Sequence, residues 1–149
     1  KLSALSPLLF ACVPMLMDTG GNAGSQASVT IIRGLALNEL DFSDIFRIVW
    51  KEFRASVLLA LTLSVVCWAK LILIDNLIFG YDYTYLLSAV VSVALFLTVL
   101  VAKFVGCMLP LIAKKLKLDP AVVASPFITT IVDAVSLIIY CKFAIAILA

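Results

Sequence analysis

The sequence predicts an all-α membrane protein, a multi-pass bundle of transmembrane helices, and three observations support this fold class. Of its 149 residues, 64% are apolar and only 13% are charged, and the mean hydropathy is +1.21. A water-soluble domain of this size does not need so apolar a composition. The apolar residues form four runs separated by polar connections, and a run of roughly 20 such residues is what a helix needs to cross a bilayer.

Composition also argues against several classes of function. The net charge of +2 is small and the basic residues are dispersed, so we expect no nucleic-acid surface. The chain has no histidine, hence no imidazole metal ligand and no histidine proton relay. Its four cysteines lie singly in apolar segments, which is typical of small buried hydrophobic residues. No Ser/His or paired-Asp arrangement is visible, so we predict that the protein is not an enzyme.

The first predicted span, residues 2–28, is apolar in its first half and rich in small and polar residues in its second. Pro14 cannot donate a backbone hydrogen bond, so a kink is predicted there. Gly20, Gly21 and Gly24 let another backbone approach closely or leave carbonyl groups accessible. A glycine-rich loop between two short helices is the alternative interpretation of this stretch.

Residues 33–54 predict an amphipathic helix that connects the first two spans at the membrane interface. Apolar residues recur there at intervals of three and four, which is the spacing of one helical face. Basic residues supply another side, as in helices that lie on a membrane surface. These apolar and basic residues are Phe42, Ile45, Phe46, Val49, Trp50 and Phe53, and Arg47, Lys51 and Arg54. The segment could bind lipid headgroups or serve only as a solvated connector.

The second and third spans are predicted at residues 55–73 and 85–112. Pro110 is expected to help end the third helix before Lys114, because proline cannot continue the helical hydrogen-bond pattern. Lys103 is unusual within this apolar stretch. It could extend its ammonium group toward the basic end of the helix, or it could pair with a carboxylate inside the membrane.

The last span is predicted at residues 121–149, with Asp119 as the N-cap and Pro120 as the first helical residue. Basic residues near the ends of short connections predict the cytoplasmic side of a membrane protein. They are concentrated in the first and third connections, so these two should be cytoplasmic and the C-terminus should lie outside. The residues are Arg33, Arg47, Lys51 and Arg54, and Lys114, Lys115 and Lys117.

Asp133 lies deep within the last span, where an ionised side chain is costly and tends to face a cavity or partner on an ion or proton path. Asp133 belongs to a series of mostly polar residues spaced three or four positions apart, and this spacing places them on one stripe of the helix. The stripe comprises Val122, Ser125, Thr129, Asp133, Ser136 and Tyr140. The opposite side is predicted to face lipid and comprises Ile128, Ile131, Val135, Ile138 and Ile139, with Lys142 also pointing away from Asp133.

The stripe predicts an oxygen-lined site for a hard cation. Pro126 lacks an N–H group, so the carbonyl of Val122 is left without its helical partner. Together with the Ser125 and Thr129 hydroxyls and the Asp133 carboxylate, this lining suits Mg²⁺ or Ca²⁺. One carboxylate is a poor site for a divalent ion, whereas two related by a twofold axis bring the required charge, which favours a homodimer. The alternative is that the stripe only holds helices together.

Two stretches resemble the membrane domain of the MgtE family of magnesium channels: residues 14–26, and Asp119-Pro120 with Pro126, Thr129, Thr130 and Asp133. The resemblance covers essentially the whole chain and corresponds to the last four of the family's five transmembrane helices. It implies a homodimeric pore lined by the first and last spans, with Asp133 as its acidic residue. The further oxygen ligands that it implies come from Val122, Ser125, Thr129, Gly20, Gly21 and Asn22.

The resemblance also implies that residues 1–149 are a single pore domain of a longer protein of the inner or plasma membrane. Family members carry a cytoplasmic N-terminal domain and a CBS-domain pair that regulate the pore, and we expect these and the first transmembrane helix to lie outside this sequence. The predicted function is conduction of hydrated Mg²⁺ into the cytoplasm. The sequence does not decide whether other divalent cations also pass. An exchanger of Mg²⁺ for Na⁺ or H⁺ and a non-transporting membrane scaffold are the alternatives. Lys103 would oppose cation binding, so we expect it to face away from the pore.

Overall fold

The protein is a bundle of four long helices. The computed structural model describes the backbone of residues 2–40 and 42–148, and the side chains of all of these except residues 2–6, 42, 123–125 and 148. Every regular element of this described chain is helical, which confirms the predicted all-α class. The four helices are α1 (Leu2–Ala36), α2 (Ile45–Ala69), α3 (Tyr85–Lys115) and α4 (Pro120–Leu148).

Helix α3 lies at the centre of the bundle. It packs against α1, α2 and α4, and α1 and α4 also pack against each other. More than half of the apolar stretch of α3 is buried inside the protein, whereas most of the apolar stretch of α2 is exposed. Helices α1, α3 and α4 therefore form the packed core, and α2 lies at its periphery with a broad surface left for lipid.

Three helices within the described residues are long and apolar enough to cross a membrane: Ile45–Asp75, Tyr85–Lys115 and Pro126–Ile147. They confirm a helical membrane bundle. The remaining predicted span lies within α1, which has 35 residues and so extends for about 52 Å, more than a bilayer core requires. Its polar second half, from Asp18 onward, lowers its average hydropathy.

Helix α1 is continuous through its glycine-rich half, so the loop interpretation of residues 18–28 is wrong. The glycines instead allow backbones to touch. A Cβ atom on Gly106 of α3 would overlap the backbone carbonyl of Gly24 on α1, and one on Gly24 would lie 3.0 Å from the carbonyl oxygen of Ala102. The crossing of α1 and α3 therefore depends on the absence of side chains, as small residues permit in membrane helices.

The amphipathic connector does not form a helix of its own. A short 3₁₀ turn (Phe42–Asp44) leads directly into α2, so residues 45–54 are the first part of the helix that crosses the membrane. The physical reason is visible in the sequence, because residues 45–79 contain neither glycine nor proline and nothing interrupts the helix. The amphipathic pattern itself is retained on the surface of α2.

Helix α3 also extends further than predicted, since Pro110 lies inside it and the helix continues to Lys115. A proline removes only one hydrogen bond from the ladder, and here its ring is buried among the other helices. The start of α4 is as predicted. The backbone N–H of Ala121 donates to Oδ1 of Asp119 at 2.9 Å, which is the N-cap hydrogen bond expected before Pro120.

The turn between α2 and α3 ties three helices together at one end of the bundle. A π-helical segment (Lys70–Asp75) follows α2, and its wider turn brings residues five apart onto one face, so Lys70 Nζ lies 2.7 Å from Asp75 Oδ2. The Asn76 side chain donates to the carbonyl of Tyr83 and accepts from its N–H, both at 2.8 Å. The Tyr83 hydroxyl donates to the Leu8 carbonyl of α1 at 3.4 Å. Burial raises the pKa of the Tyr83 phenol above its ordinary value.

The first and third connections lie at the other end of the bundle. Leu35 of α1, Ile45 of α2 and Leu111 of α3 pack into one apolar cluster there. Lys114 Nζ donates to the carbonyl of Leu35 at 3.5 Å, which neutralises part of the negative end of α1. The two basic connections that the sequence assigns to the cytoplasm therefore share one end of the molecule.

Candidate ion site on α1 and α4

The predicted polar stripe of α4 divides into an exposed part and a buried part. Val122 and Thr129 are exposed and Asp133 is half-buried, whereas Ser136 and Tyr140 are almost completely buried. The Tyr140 hydroxyl donates to the carbonyl of Leu9 on α1 at 2.9 Å. Ser136 and Tyr140 therefore belong to the packing of α4 on α1. The part of the stripe that can meet an ion or another molecule ends at Asp133.

Two threonine hydroxyls donate to the carbonyl of Pro126, which lies about two turns before Asp133. The Oγ1 atoms of Thr129 and Thr130 both donate to this carbonyl, at 3.1 and 2.9 Å. Val122, whose carbonyl Pro126 cannot engage, is 70% exposed. The side chain of Ser125, also predicted to contribute an oxygen, lies outside the described residues. Val122, Thr129 and Thr130 are all exposed, so this part of α4 is open on its outer side.

Gly20 brings α1 directly against the part of α4 that carries Asp133. A Cβ atom at this position would lie 2.9 Å from Cγ1 of Val132 and 3.3 Å from Oγ of Ser136. These two residues lie on either side of Asp133 along the helix. On the α3 side, the same Cβ atom would lie 2.7 Å from Cγ2 of Thr98. The close approach sets Gly20 of α1 against the turn of α4 that carries Asp133.

Two predicted residues of α1, Gly21 and Asn22, lie next to open space. Nothing lies within 4 Å of the position where a Cβ atom on Gly21 would stand, although its backbone is covered. Asn22 is exposed, and its Nδ2 donates to Oδ2 of Asp18 at 3.2 Å. Asp18 is also exposed and adds a second carboxylate to this face. The sequence offered one signal for it, the spacing of four residues that places Asp18 and Asn22 on one helical face.

The predicted lipid-facing side of α4 is wrong at Ile128. This side chain is only 1% exposed and packs with Ala102 of α3 and Val132 of α4. Helix α4 contacts both α1 and α3, so more of its circumference is covered than a helix with one neighbour would show. Ile138, by contrast, is 57% exposed as predicted, and Lys142 is exposed as well.

Lys103 of α3 is turned toward α2. Its Nζ lies 3.6 Å from Oε2 of Glu52, and both side chains are largely buried, with 12% and 16% of their surfaces exposed. Of the two interpretations of Lys103, the structure supports pairing with a carboxylate. A role for Glu52 was not predicted from the sequence, although it is the one acidic residue among the basic residues Arg47, Lys51 and Arg54.

The polar side chains of the candidate ion site are carboxylates, hydroxyl groups and one amide, and they are sparse. In the part of the chain that the structure describes, no three His, Cys, Asp or Glu side chains lie close enough together to hold a metal ion. A single copy thus offers Asp133, the Asp18 and Asn22 pair, and the hydroxyl and carbonyl oxygens before Asp133. This set can attract a hydrated cation but does not enclose a bare one.

A helical bundle that carries an acidic residue on a membrane-crossing helix is typical of membrane proteins that move ions or protons. A family model gives the particular family: MgtE, described as a divalent cation transporter, matches residues 13–143. The chain belongs to this family. The match includes every residue assigned above to the face of α1 and α4.

Three relatives, each named "Magnesium transporter MgtE", are similar over most of the chain. The relative from Thermus thermophilus is 41% identical over 143 residues, or 96% of this chain and 30% of the relative. That from Bacillus subtilis is 38% identical over 134 residues, 90% of this chain and 28% of the relative. That from Enterococcus faecalis is 29% identical over 144 residues, 97% of this chain and 30% of the relative. The chain therefore spans about 30% of the length of these relatives.

Proposed function

We propose that this chain forms the pore of a magnesium channel and conducts Mg²⁺ passively into the cytoplasm. The observation that carries the proposal is the contact of Gly20 with the residues on either side of Asp133. It joins the polar half of α1, with its exposed Asp18 and Asn22, to the one carboxylate of α4. The pore would run along this shared face.

The proposed pore needs a second copy of the chain. Asp18, Asn22 and Thr129 are exposed on helices long enough to cross a membrane, and polar groups that face hydrocarbon are costly. A homodimer with α1 and α4 around its twofold axis would cover these groups and bring two Asp133 carboxylates to one path. Two carboxylates supply the charge that a divalent ion needs, and one does not.

The chemistry of the face favours a hydrated magnesium ion. Carboxylate, hydroxyl and carbonyl oxygens suit hard cations, and Mg²⁺ gives up its water reluctantly, so it is commonly held through few direct protein ligands. The half-buried Asp133 and the exposed residues Val122 and Thr129 fit contacts through water. The ligand set that we propose is Asp133, Thr129, Ser125, Val122, Asn22, Gly21 and Gly20. The names of the three relatives point to the same ion.

The direction of transport follows from the charge of the two ends. With the basic end of the bundle in the cytoplasm, the C-terminus would lie outside the plasma or inner membrane. An inside-negative potential then drives a divalent ion inward by roughly 4.6 kcal/mol per 100 mV, twice the value for a single charge. In the longer protein, the cytoplasmic domains implied by the family would regulate this flow.

The decisive experiment measures Mg²⁺ uptake into liposomes that contain the purified protein and a magnesium-sensitive dye. We expect Asp133→Asn to lower the uptake rate by about tenfold or more, because the charged group that attracts the ion is lost. The dimer, followed by light scattering, should persist. Asp82→Asn, an exposed carboxylate of the turn between α2 and α3, is the matched control and should leave uptake unchanged. Undiminished uptake by Asp133→Asn would falsify the proposal.

The same liposomes separate the channel from its two rivals. For an exchanger, uptake would stop when the Na⁺ and H⁺ gradients are collapsed while the voltage is clamped. For a channel it continues under these conditions. For a scaffold, the wild-type protein would show no uptake at all, and Asp133→Asn would break the dimer instead.

A further inference from the structure

The first part of α2, residues 45–54, carries three different surfaces side by side. One faces the bundle, where Ile45 and Ile48 pack on the cluster formed by α1 and α3 and Glu52 pairs with Lys103. The second is aromatic and exposed, with Phe46 at 81%, Trp50 at 55% and Phe53 at 47%. The third is basic and exposed, and it comprises Arg47, Lys51 and Arg54. We call residues 45–54 the basic segment of α2.

The length of α2 places the basic segment at the level of the lipid headgroups. Residues 55–74 are apolar apart from three hydroxyl residues and Lys70, which lies near their far end. At 1.5 Å per residue they span about 30 Å, which equals the thickness of a bilayer core. The ten residues before them extend for about another 15 Å. Arg47, Lys51 and Arg54 therefore lie just outside the hydrocarbon, at the end of the bundle that also carries Lys114 and Lys115.

The ion pair between Glu52 and Lys103 keeps the one acidic side chain of the basic segment largely buried. It turns the one acidic side chain of the segment toward α3, where its charge is balanced at a distance of 3.6 Å. The three basic side chains, on other sides of the helix, keep their charge toward the surroundings. The charged side chains that the segment exposes are therefore all cationic, although its sequence also contains an acidic residue.

We propose that the basic segment of α2 is a docking surface for anionic phospholipids of the cytoplasmic leaflet. Three cations at the headgroup level complement a negatively charged leaflet. The aromatic row beside them, in which Trp50 stacks on Phe53 at a ring distance of 5.9 Å, matches the preference of aromatic rings for the membrane interface. The surface is separate from the face of α1 and α4 and does not depend on which ion that face conducts.

A groove next to the basic segment offers space for an acyl chain. It has a volume of about 400 Å³ and lies between the start of α2 and the end of α3, lined by Ile45, Met108, Leu111, Ile112 and Lys115. Four of these side chains are apolar, and the fifth is an exposed lysine. An apolar groove with a cation at its rim has the amphipathic character of a phospholipid, which places the phosphate beside Lys115 and one chain along the helices.

The test compares lipid binding by the purified full-length protein in native mass spectrometry, with phosphatidylglycerol and phosphatidylcholine as probes. The wild type should bind phosphatidylglycerol more tightly. In the variant Arg47→Gln, Lys51→Gln, Arg54→Gln, the ratio of phosphatidylglycerol affinity to phosphatidylcholine affinity should fall by about tenfold to a hundredfold. Each basic residue near an anionic surface contributes roughly a factor of five to this ratio. The wild-type preference should also fall as salt is added, because salt screens exposed charges.

Two matched variants identify the cause of a loss. Arg47→Lys, Lys51→Arg, Arg54→Lys keeps all three charges and should keep the preference. Lys142→Gln removes one exposed cation at the opposite end of α4 and should keep it too. A wild type without preference for phosphatidylglycerol, a preference insensitive to salt, or a neutral variant that binds like the wild type would each overturn the proposal. Transport plays no part in these measurements, so their outcome is independent of that of Asp133→Asn.

Discussion

The contact between α2 and α3 contains a balanced ion pair, whereas the side of the bundle formed by α1 and α4 carries a carboxylate without a cationic partner among the described residues. Between α2 and α3, Glu52 and Lys103 balance each other at 3.6 Å. On the side of α1 and α4, Asp133 is half-buried and makes no ion pair with any residue that the structure describes. A balanced pair fixes two helices and has no charge left for a ligand. A carboxylate without a cationic partner remains available to bind an ion. For this reason we propose ion conduction on the face of α1 and α4, and a structural role for the pair between α2 and α3.

The largest effect that we predict concerns the crossing that supports the face of α1 and α4. Gly106→Ala places a Cβ atom on the backbone of Gly24, which cannot move aside as a side chain can. We expect a loss of about 3 kcal/mol in the free energy of unfolding, measured as a lower melting temperature in detergent. Gly21→Ala, which meets open space, should melt like the wild type. Equal melting of the two variants would contradict the crossing described here.

The next prediction tests whether the pair between α2 and α3 is structural. Glu52→Gln leaves the buried Lys103 ammonium without its partner and should cost about 1–3 kcal/mol, less than a fully buried pair because the lysine can reach toward water. The double variant Glu52→Gln, Lys103→Met should recover most of this loss. Mg²⁺ uptake per folded dimer should stay near the wild-type rate in both. A large change in uptake with unchanged stability would reverse the assignment of the two faces.

The smallest effect is predicted for Asp18, and it tests how much this second carboxylate contributes to attracting the ion. Asp18→Asn keeps the shape of the side chain and its contact with Asn22 but removes a negative charge from the exposed face. Uptake at low Mg²⁺ concentration should fall by roughly twofold to fivefold, because the local attraction for cations weakens. The difference should fade in high salt. A reduction as large as that of Asp133→Asn would make Asp18 an equal member of the site.

The sequence predicted those features that depend on the period of one helix. The alignment of Thr129 with Asp133 follows from spacing, and the N-cap of α4 follows from an aspartate placed before a proline. What each face meets depends on neighbours far away in the chain, and here the prediction for Ile128 was wrong. Ile128 was assigned to lipid because nothing in its own helix shows that α1 and α3 both cover it.

The same limit explains the ion pair and the connector. Glu52 and Lys103 are about 50 residues apart, and single-sequence patterns do not pair residues across such a separation. The continuity of α2 could have been predicted, because residues 45–79 lack glycine and proline. The change from basic to apolar residues near Ala55 suggested a boundary between two helices, but it marks the level of the membrane surface within one.

The central position of α3 has a consequence for the synthesis of the protein. Helix α1 packs on α3 and α4, both of which follow it in the chain. At about 5–20 residues per second, roughly 80 residues and 4–16 s separate the completion of α1 from that of α3. During this interval the polar half of α1 has neither of these packing partners in the bilayer. We therefore expect nascent α1 to stay near water or the insertion machinery until α3 emerges, and its stable insertion to depend on the helix that crosses it at Gly106.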